Sequence, residues 1–381
     1  MNRFHSAIIL ATLFLCGCAT TGLPPVTSKD YALEGDEKNI WALSLEMEKG
    51  LSVSGLPYAD EALERYLNGV AEKLAVPETK GRIAFRIRVL KNPHLNAFAL
   101  PTGSLYLHTG ILAQMENEAQ LATLLAHEMT HTTHRHAVKQ FRDVKNKTAW
   151  LASTIVLTGA YGAVLGGLGI AAAVTGYSRE LETEADMEGI KLVVAAGYDP
   201  REAPKLFEHL KKEIEEEKIS EPFFFGTHPR IQERIENYET LLKTEYAGRT
   251  GISNGEAFFA ATREVILENA RLDLKMGRFG IARRGAEKYI SIQGKDARGH
   301  HLLGEVFRQK GEKEDEEKAI AEYRKAIELD SSYPDSHKCL GMIRMKKGEK
   351  AEAKKHFERY LALAPKAPDR GYVEEYLKAM E

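Results

Sequence analysis

His127-Glu128-Met129-Thr130-His131 sets two imidazoles four residues apart, with a carboxylate next to the first. In a helix that spacing puts both rings on one face, where they can grip a single zinc ion. Glu128 then stands beside the metal, able to take a proton from a water the metal has acidified and to deliver it to a leaving amine. That is the chemistry of peptide-bond hydrolysis. His134 and His136 extend the cluster. A tetrahedral catalytic zinc keeps one position open, so they read as surface or outer residues, and His134, one turn beyond His131, is the better outer candidate. A third ligand must come from elsewhere in the chain. Ser178–Asp186 offers Glu180, Glu182, Glu184 and Asp186 on a second expected helix, and spacing does not choose among them.

The elements that must position this pair can be read from periodicity. A long helix is expected over Asn117–Gln140, capped by Asn117 with Gln120 at the capping-box position. Leu125, Ala126 and the apolar residues upstream make it amphipathic, with the histidines near its buried face. Two helices are expected between Tyr31 and Leu74, with Trp41, Leu45, Leu63, Leu67, Val70 and Leu74 facing inward. Ile83–Leu90 alternates as a half-buried strand, and Ala97–Leu100 and Ser104–His108 flank the turn residues Pro101 and Gly103, which together suggest a small sheet.

The chain has 381 residues, more than one core usually organises, so two folded domains are expected. With 53 Lys plus Arg against 55 Asp plus Glu and no long single-sign block, nucleic acid is not an expected partner. Arg3 followed by the apolar run Ala7–Leu15 reads as an export signal, too short to span a bilayer. Leu15-Cys16-Gly17-Cys18 resembles a bacterial lipobox, with Cys18 as the lipidated residue and the following stretch as a tether. Processing there would leave Cys339 as the one free thiol, so no internal disulfide is expected. Toward the other end, Gly277, Gly311 and Gly348 mark turns spaced by 34 and 37 residues. A period near 34 suggests tetratricopeptide repeats. Leu340-Gly341, Ala353, Phe357 and Pro365 form the clearest copy. Leu303-Gly304, Ala319, Tyr323 and Ala326 form the one before, and Ala282 and Ala286 mark a degenerate first.

The histidine pair followed by a Glu-x-x-x-Asp segment resembles the HtpX and CAAX prenyl protease family of zinc peptidases over roughly residues 30 to 245, and the repeats place it near the BepA-like subgroup. The resemblance implies Glu182 as third ligand, completing a gluzincin-type set with one zinc per chain. It implies Asp186 as the residue that hydrogen-bonds a zinc histidine, leaving Glu180 and Glu184 as solvated charges. Asn96, Ala97 and Phe98, leading to Pro101 and Gly103, are similar to the family's strand beside the cleft, which would bind extended peptide. Thr227-His228-Pro229 with Arg234 resembles a late family motif, making His228 either a gating fourth ligand or a stabiliser of the oxyanion. Thr148–Ser178 carries no charge and is long enough to cross a bilayer. A single crossing would part His127 from Glu182 by roughly 30 Å, so a packed hairpin or a lid over the cleft is expected instead.

The expected architecture is an α+β zincin-like metalloprotease domain over 31–247, after a signal and lipobox (1–18) and tether (19–30), followed by an all-α tetratricopeptide-repeat domain over 256–381. The expected function is a zinc-dependent endopeptidase with Glu128 as general base, lipid-anchored in the cell envelope, at the outer membrane facing the periplasm. Its expected substrates are misfolded or stalled envelope polypeptides, with outer-membrane assembly machinery reached through the repeats. The alternative from another class is a chaperone-like or assembly-factor binding protein that works through its repeats while the zinc site stays self-inhibited.

Overall fold

The computed structural model describes residues 22–146, 177–217 and 231–380. Cys18, the uncharged stretch as far as residue 176, and His228 lie outside the described residues.

Helix α1 (Gly35–Val53) precedes α2 (Glu61–Leu74), whose N-terminus is capped by the Asp60 carboxylate accepting from the Ala62 and Leu63 amides, both at 3.0 Å. Leu63, Leu67, Val70 and Leu74 recur at helical spacing and are all buried, as their pattern predicts. Leu45 departs from expectation: it is 49% exposed, and Trp41 is only half-buried. α1 is held instead by polar contacts, because Glu37 is buried against Arg135.

Strands β1 (Arg86–Leu90), β2 (Ala97–Ala99) and β3 (Ser104–His108) form a sheet ordered β1-β3-β2, with β1 parallel and β2 antiparallel to β3. β2 is therefore an edge. The Asn96 carbonyl accepts from the His108 amide and the Leu100 amide donates to the Ser104 carbonyl, so residues 96, 98 and 100 turn their main-chain groups toward β3. Ala97 and Ala99 turn theirs outward, and of these two Ala97 is fully buried while Ala99 is partly exposed.

A short helix, α3 (Thr109–Gln114), leads into α4 (Glu118–Thr133). Asn117 caps α4 by accepting from the Gln120 amide, while the Gln120 side chain accepts from the Glu116 amide instead of closing a capping box. All sixteen residues of α4 are buried, so it is not amphipathic: the sheet edge, α2 and the helices that follow cover it on every side. The expected continuation to Gln140 is also interrupted. His134 ends α4, Arg135 adopts a left-handed conformation (φ 59°), and helical residues 136–146 (α5) start afresh. A non-glycine residue there costs about 1–3 kcal/mol unless its surroundings fix it. Here they do. The buried Arg135 guanidinium donates to both Glu37 carboxylate oxygens and to the Pro24 and Ala32 carbonyls.

Helices α6 (Arg179–Ala195), α7 (Glu202–Glu217) and α8 (Ile231–Lys243) pack around α4 and one another. Three hairpins follow: α9 (Gly255–Lys275) with α10 (Phe279–Ile292), α11 (Ala297–Lys310) with α12 (Asp315–Leu329), and α13 (Pro334–Lys346) with α14 (Lys350–Leu363). α15 (Arg370–Lys378) ends the series. Gly277, Gly311 and Gly348 all have positive φ at the turns, as their residue type permits. A Cβ on Gly304 would lie 2.7 Å from the Tyr323 ring, and one on Gly341 2.7 Å from the Phe357 ring, so the small residue is what lets each hairpin close. Cys339 is a free, buried thiol. Among the described residues no helix is long and apolar enough to cross a membrane.

The first hairpin is not a bystander to the layers before it. Phe258 and Val265 of α9 sit in the same core as Leu63, Leu107 and Leu125. Lys288 of α10 donates to the Ala113 and Met115 carbonyls, both at 2.8 Å, at the end of α3. Burial pushes that amine down to about 8.

Candidate metal centre

His127 and His131 of α4 meet Glu182 of α6 in the interior, and all three are buried. Their Nε2 atoms lie 2.9 Å apart, while Glu182 Oε2 is 3.5 Å from His127 Nε2 and Oε1 is 3.4 Å from His131 Nε2. Tetrahedral zinc with bonds of about 2.0–2.1 Å needs donors about 3.3 Å apart. Both histidine–carboxylate separations meet that, and the two rings need to open by only a few tenths of an ångström. Two imidazoles and a carboxylate suit zinc chemically as well. The close approach of α6 depends on Gly189, where a Cβ would lie 3.2 Å from the His127 amide nitrogen.

Behind His127, Asp186 Oδ1 lies 3.0 Å from Nδ1. Asp186 also accepts from Arg234 Nη2 at 2.6 Å and from the Tyr238 hydroxyl at 2.8 Å, and Arg234 stacks over Phe207 at 4.1 Å. Arg234 Nη2 is 2.8 Å from His127 Nδ1 too. A ring that binds metal through Nε2 carries its proton on Nδ1, so that proton goes to Asp186 and Arg234 donates to Asp186 rather than to the ring. Burial works against ionised Asp186, yet the Arg234 charge and the His127 contact hold its pKa below the ordinary range. In His127, burial and the Arg234 charge oppose protonation, but the Asp186 and Glu182 hydrogen bonds outweigh them and raise its pKa. His131 goes the other way, pushed well down by burial and then by His127. Imidazoles bind metal in their neutral form, so metal affinity at such a pair would fall on acidification.

Glu128 is 1% exposed on the same helix. The Tyr177 ring stacks on His131 with centroids 4.0 Å apart, and its hydroxyl is pushed up by burial and by the neighbouring carboxylates of Glu128 and Glu182. Ala99, Pro101, Thr132, Trp41 and Tyr177 line a small cleft beside His131, with the β2 edge along one side. Phe98 stacks on Tyr106, and Asn96 and Ala97 are buried in the sheet.

Comparison with known proteins assigns the domain that carries these residues. Residues 57–242 match peptidase family M48. The chain thus carries an M48 metalloprotease domain, and two overlapping tetratricopeptide-repeat matches follow at 312–348 and 334–367. It is 31% identical over 183 residues to the mitochondrial metalloendopeptidase OMA1 of Arabidopsis thaliana, covering 45% of this chain and 36% of that one. It is 28% identical over 195 residues to the beta-barrel assembly-enhancing protease of Escherichia coli K12, covering 46% and 38%. To OMA1 of Schizosaccharomyces pombe it is 27% identical, covering 57% and 67%. The chain spans less than two fifths of the first two relatives' length.

Two expectations around the M48 site are corrected. His136, and not His134, touches a member of the triad: its Nδ1 is 2.8 Å from His131 Nδ1. Glu184 is not simply solvated, since it lies 3.2 Å from His136 Nε2 and is held at about 2 chiefly by that hydrogen bond. Both follow from the break at Arg135, which swings residue 136 back over His131. Sequence reading also gave no role to Arg234, Tyr238 or Tyr177. Arg234 lay within a motif already singled out, and Tyr238 one helical turn after it could have been paired with it.

Proposed function

We propose that this protein is a zinc-dependent endopeptidase of the bacterial envelope that cleaves misfolded or stalled envelope proteins. The convergence of His127, His131 and Glu182, with Asp186 behind His127, is the observation that carries the reading. A bound zinc ion supplies Lewis-acid polarisation of the scissile carbonyl and acidifies a water molecule. The chain's own residues do the rest. Glu128 accepts the proton of the attacking water and passes it to the departing amine. Asp186, fixed by Arg234 and Tyr238, holds His127 in the tautomer that leaves Nε2 free. The outward main-chain groups of Ala99 on β2 are placed to pair with an extended peptide, with Asn96, Ala97 and Phe98 as the buried or stacked strand that supports them. His228 gates the site or stabilises the developing oxyanion.

The name of the Escherichia coli relative ties it to β-barrel assembly, and we extend to this chain a role beside outer-membrane assembly machinery, with the repeats as the docking element. Lipidation at Cys18 would anchor it there; labelled fatty acid should enter the wild type and not Cys18→Ala. Assembly of a complete donor set around a buried carboxylate favours this enzyme over a binding protein with a disused site.

Metal analysis of the purified protein tests the reading. Wild type should hold about one zinc per chain, and Glu182→Ala, which removes one of three protein donors, should hold almost none. His228→Ala should keep the metal and change the rate of casein digestion, upward for a gate and downward for an oxyanion donor. Full zinc occupancy in Glu182→Ala would remove it from the ligand set.

A further inference from the structure

We infer that His136 and Glu184 are positioning residues for the second metal ligand, His131, forming a carboxylate–imidazole–imidazole chain that fixes how that ring is presented. The inference rests on the metal-ligand reading of His131 given above. His136 is completely buried, with Nδ1 2.8 Å from His131 Nδ1 and Nε2 3.2 Å from Glu184 Oε2. The Lys139 ammonium lies 3.3 Å from the same carboxylate oxygen.

Proton counting allows one arrangement. If His131 offers Nε2 to a metal, its Nδ1 carries hydrogen and donates to His136 Nδ1. His136 then carries its own hydrogen on Nε2, which donates to the Glu184 carboxylate. The opposite tautomer of His136 would set two N–H groups head to head at 2.8 Å and waste the carboxylate. Each ligand histidine thus has a carboxylate of α6 behind it, Asp186 directly for His127 and Glu184 through His136 for His131. The direct route is closed to His131 because Glu184 is only partly buried, at the rim of α6. His136 spans the gap, and it can do so because the left-handed turn at Arg135 reverses the chain immediately before it.

The test is zinc affinity, measured by competition with a chromophoric chelator on the full chain, alongside the absorption spectrum of the cobalt-substituted protein. His136→Ala should weaken zinc binding by about 10- to 100-fold and alter the cobalt spectrum, as loss of such a partner does. His136→Asn keeps an acceptor near the Nδ1 position and should recover most of the affinity. Glu184→Ala, a change at a partly exposed position, should weaken binding by less, about several-fold. A purely structural His136 would lower the melting temperature of the metal-free protein and leave affinity and spectrum unchanged, which overturns the inference. So does an Asn variant as weak as Ala. Should His136→Ala fail to fold, the Asn and Glu184 variants decide: wild-type affinity in Glu184→Ala overturns the chain. A wild type that binds no zinc overturns the metal reading and this inference together, whereas tight wild-type binding with unaltered variants overturns this inference alone.

Discussion

Glu128→Gln is expected to slow casein digestion by about a hundred- to ten-thousandfold while about one zinc per chain stays bound. Glutamine keeps the volume of a side chain that is 1% exposed, so packing in α4 is preserved. It cannot accept a proton, and that is the one property the proposed mechanism takes from this residue. Glu128 is also outside the donor set that converges on the metal position, which is why the metal should remain. Digestion at the wild-type rate by a zinc-replete Glu128→Gln protein would sink the mechanism. Loss of both metal and activity would instead place Glu128 among the ligands.

The largest stability effect should come from Arg234→Ala. Arg234 is buried, bidentate to Asp186 and stacked on Phe207, and removing it leaves the buried Asp186 carboxylate with the His127 Nδ1–H and the Tyr238 hydroxyl as its donors and no partner cation. Breaking one side of a buried ion pair costs about 3–5 kcal/mol, so a fall in melting temperature on the order of 10 °C is expected. Arg234→Lys should not restore the loss, because an ammonium cannot reproduce two parallel hydrogen bonds and the stacking at once. A melting temperature within about 2 °C of wild type in the alanine variant would show that the pair contributes little to folding.

Much of this centre could be read from residue types because the decisive spacings are local. Four residues between His127 and His131, and four between Glu182 and Asp186, are helix geometry, and the structure places each pair as that geometry requires. The strands, the inward face of α2 and the three glycine turns were legible for the same reason. What could not be read depends on distant partners. Nothing in the identity of Arg135 signals a left-handed residue; its conformation is fixed by Glu37, 98 positions away. Without that break, His134 falls one turn after His131 and looks like the nearer neighbour. Arg234 likewise acquires its role from Asp186, 48 positions away. An amphipathic pattern was expected for α4 because periodicity supposes one wet face, and tertiary packing left none.

Phe258 and Val265 have a bearing on how such chains can be inherited. Similarity to peptidase family M48 ends at residue 242, but the interior that family builds here does not close until Val265 is in place. Recombination at the point where the resemblance stops would strip that interior of two of its walls and leave the end of α3 without the Lys288 cap. From α12 onward the hairpins close small cores of their own. Lineages should therefore hand down α9 and α10 with the peptidase as one heritable block, while the later hairpins are free to be lengthened, shortened or exchanged.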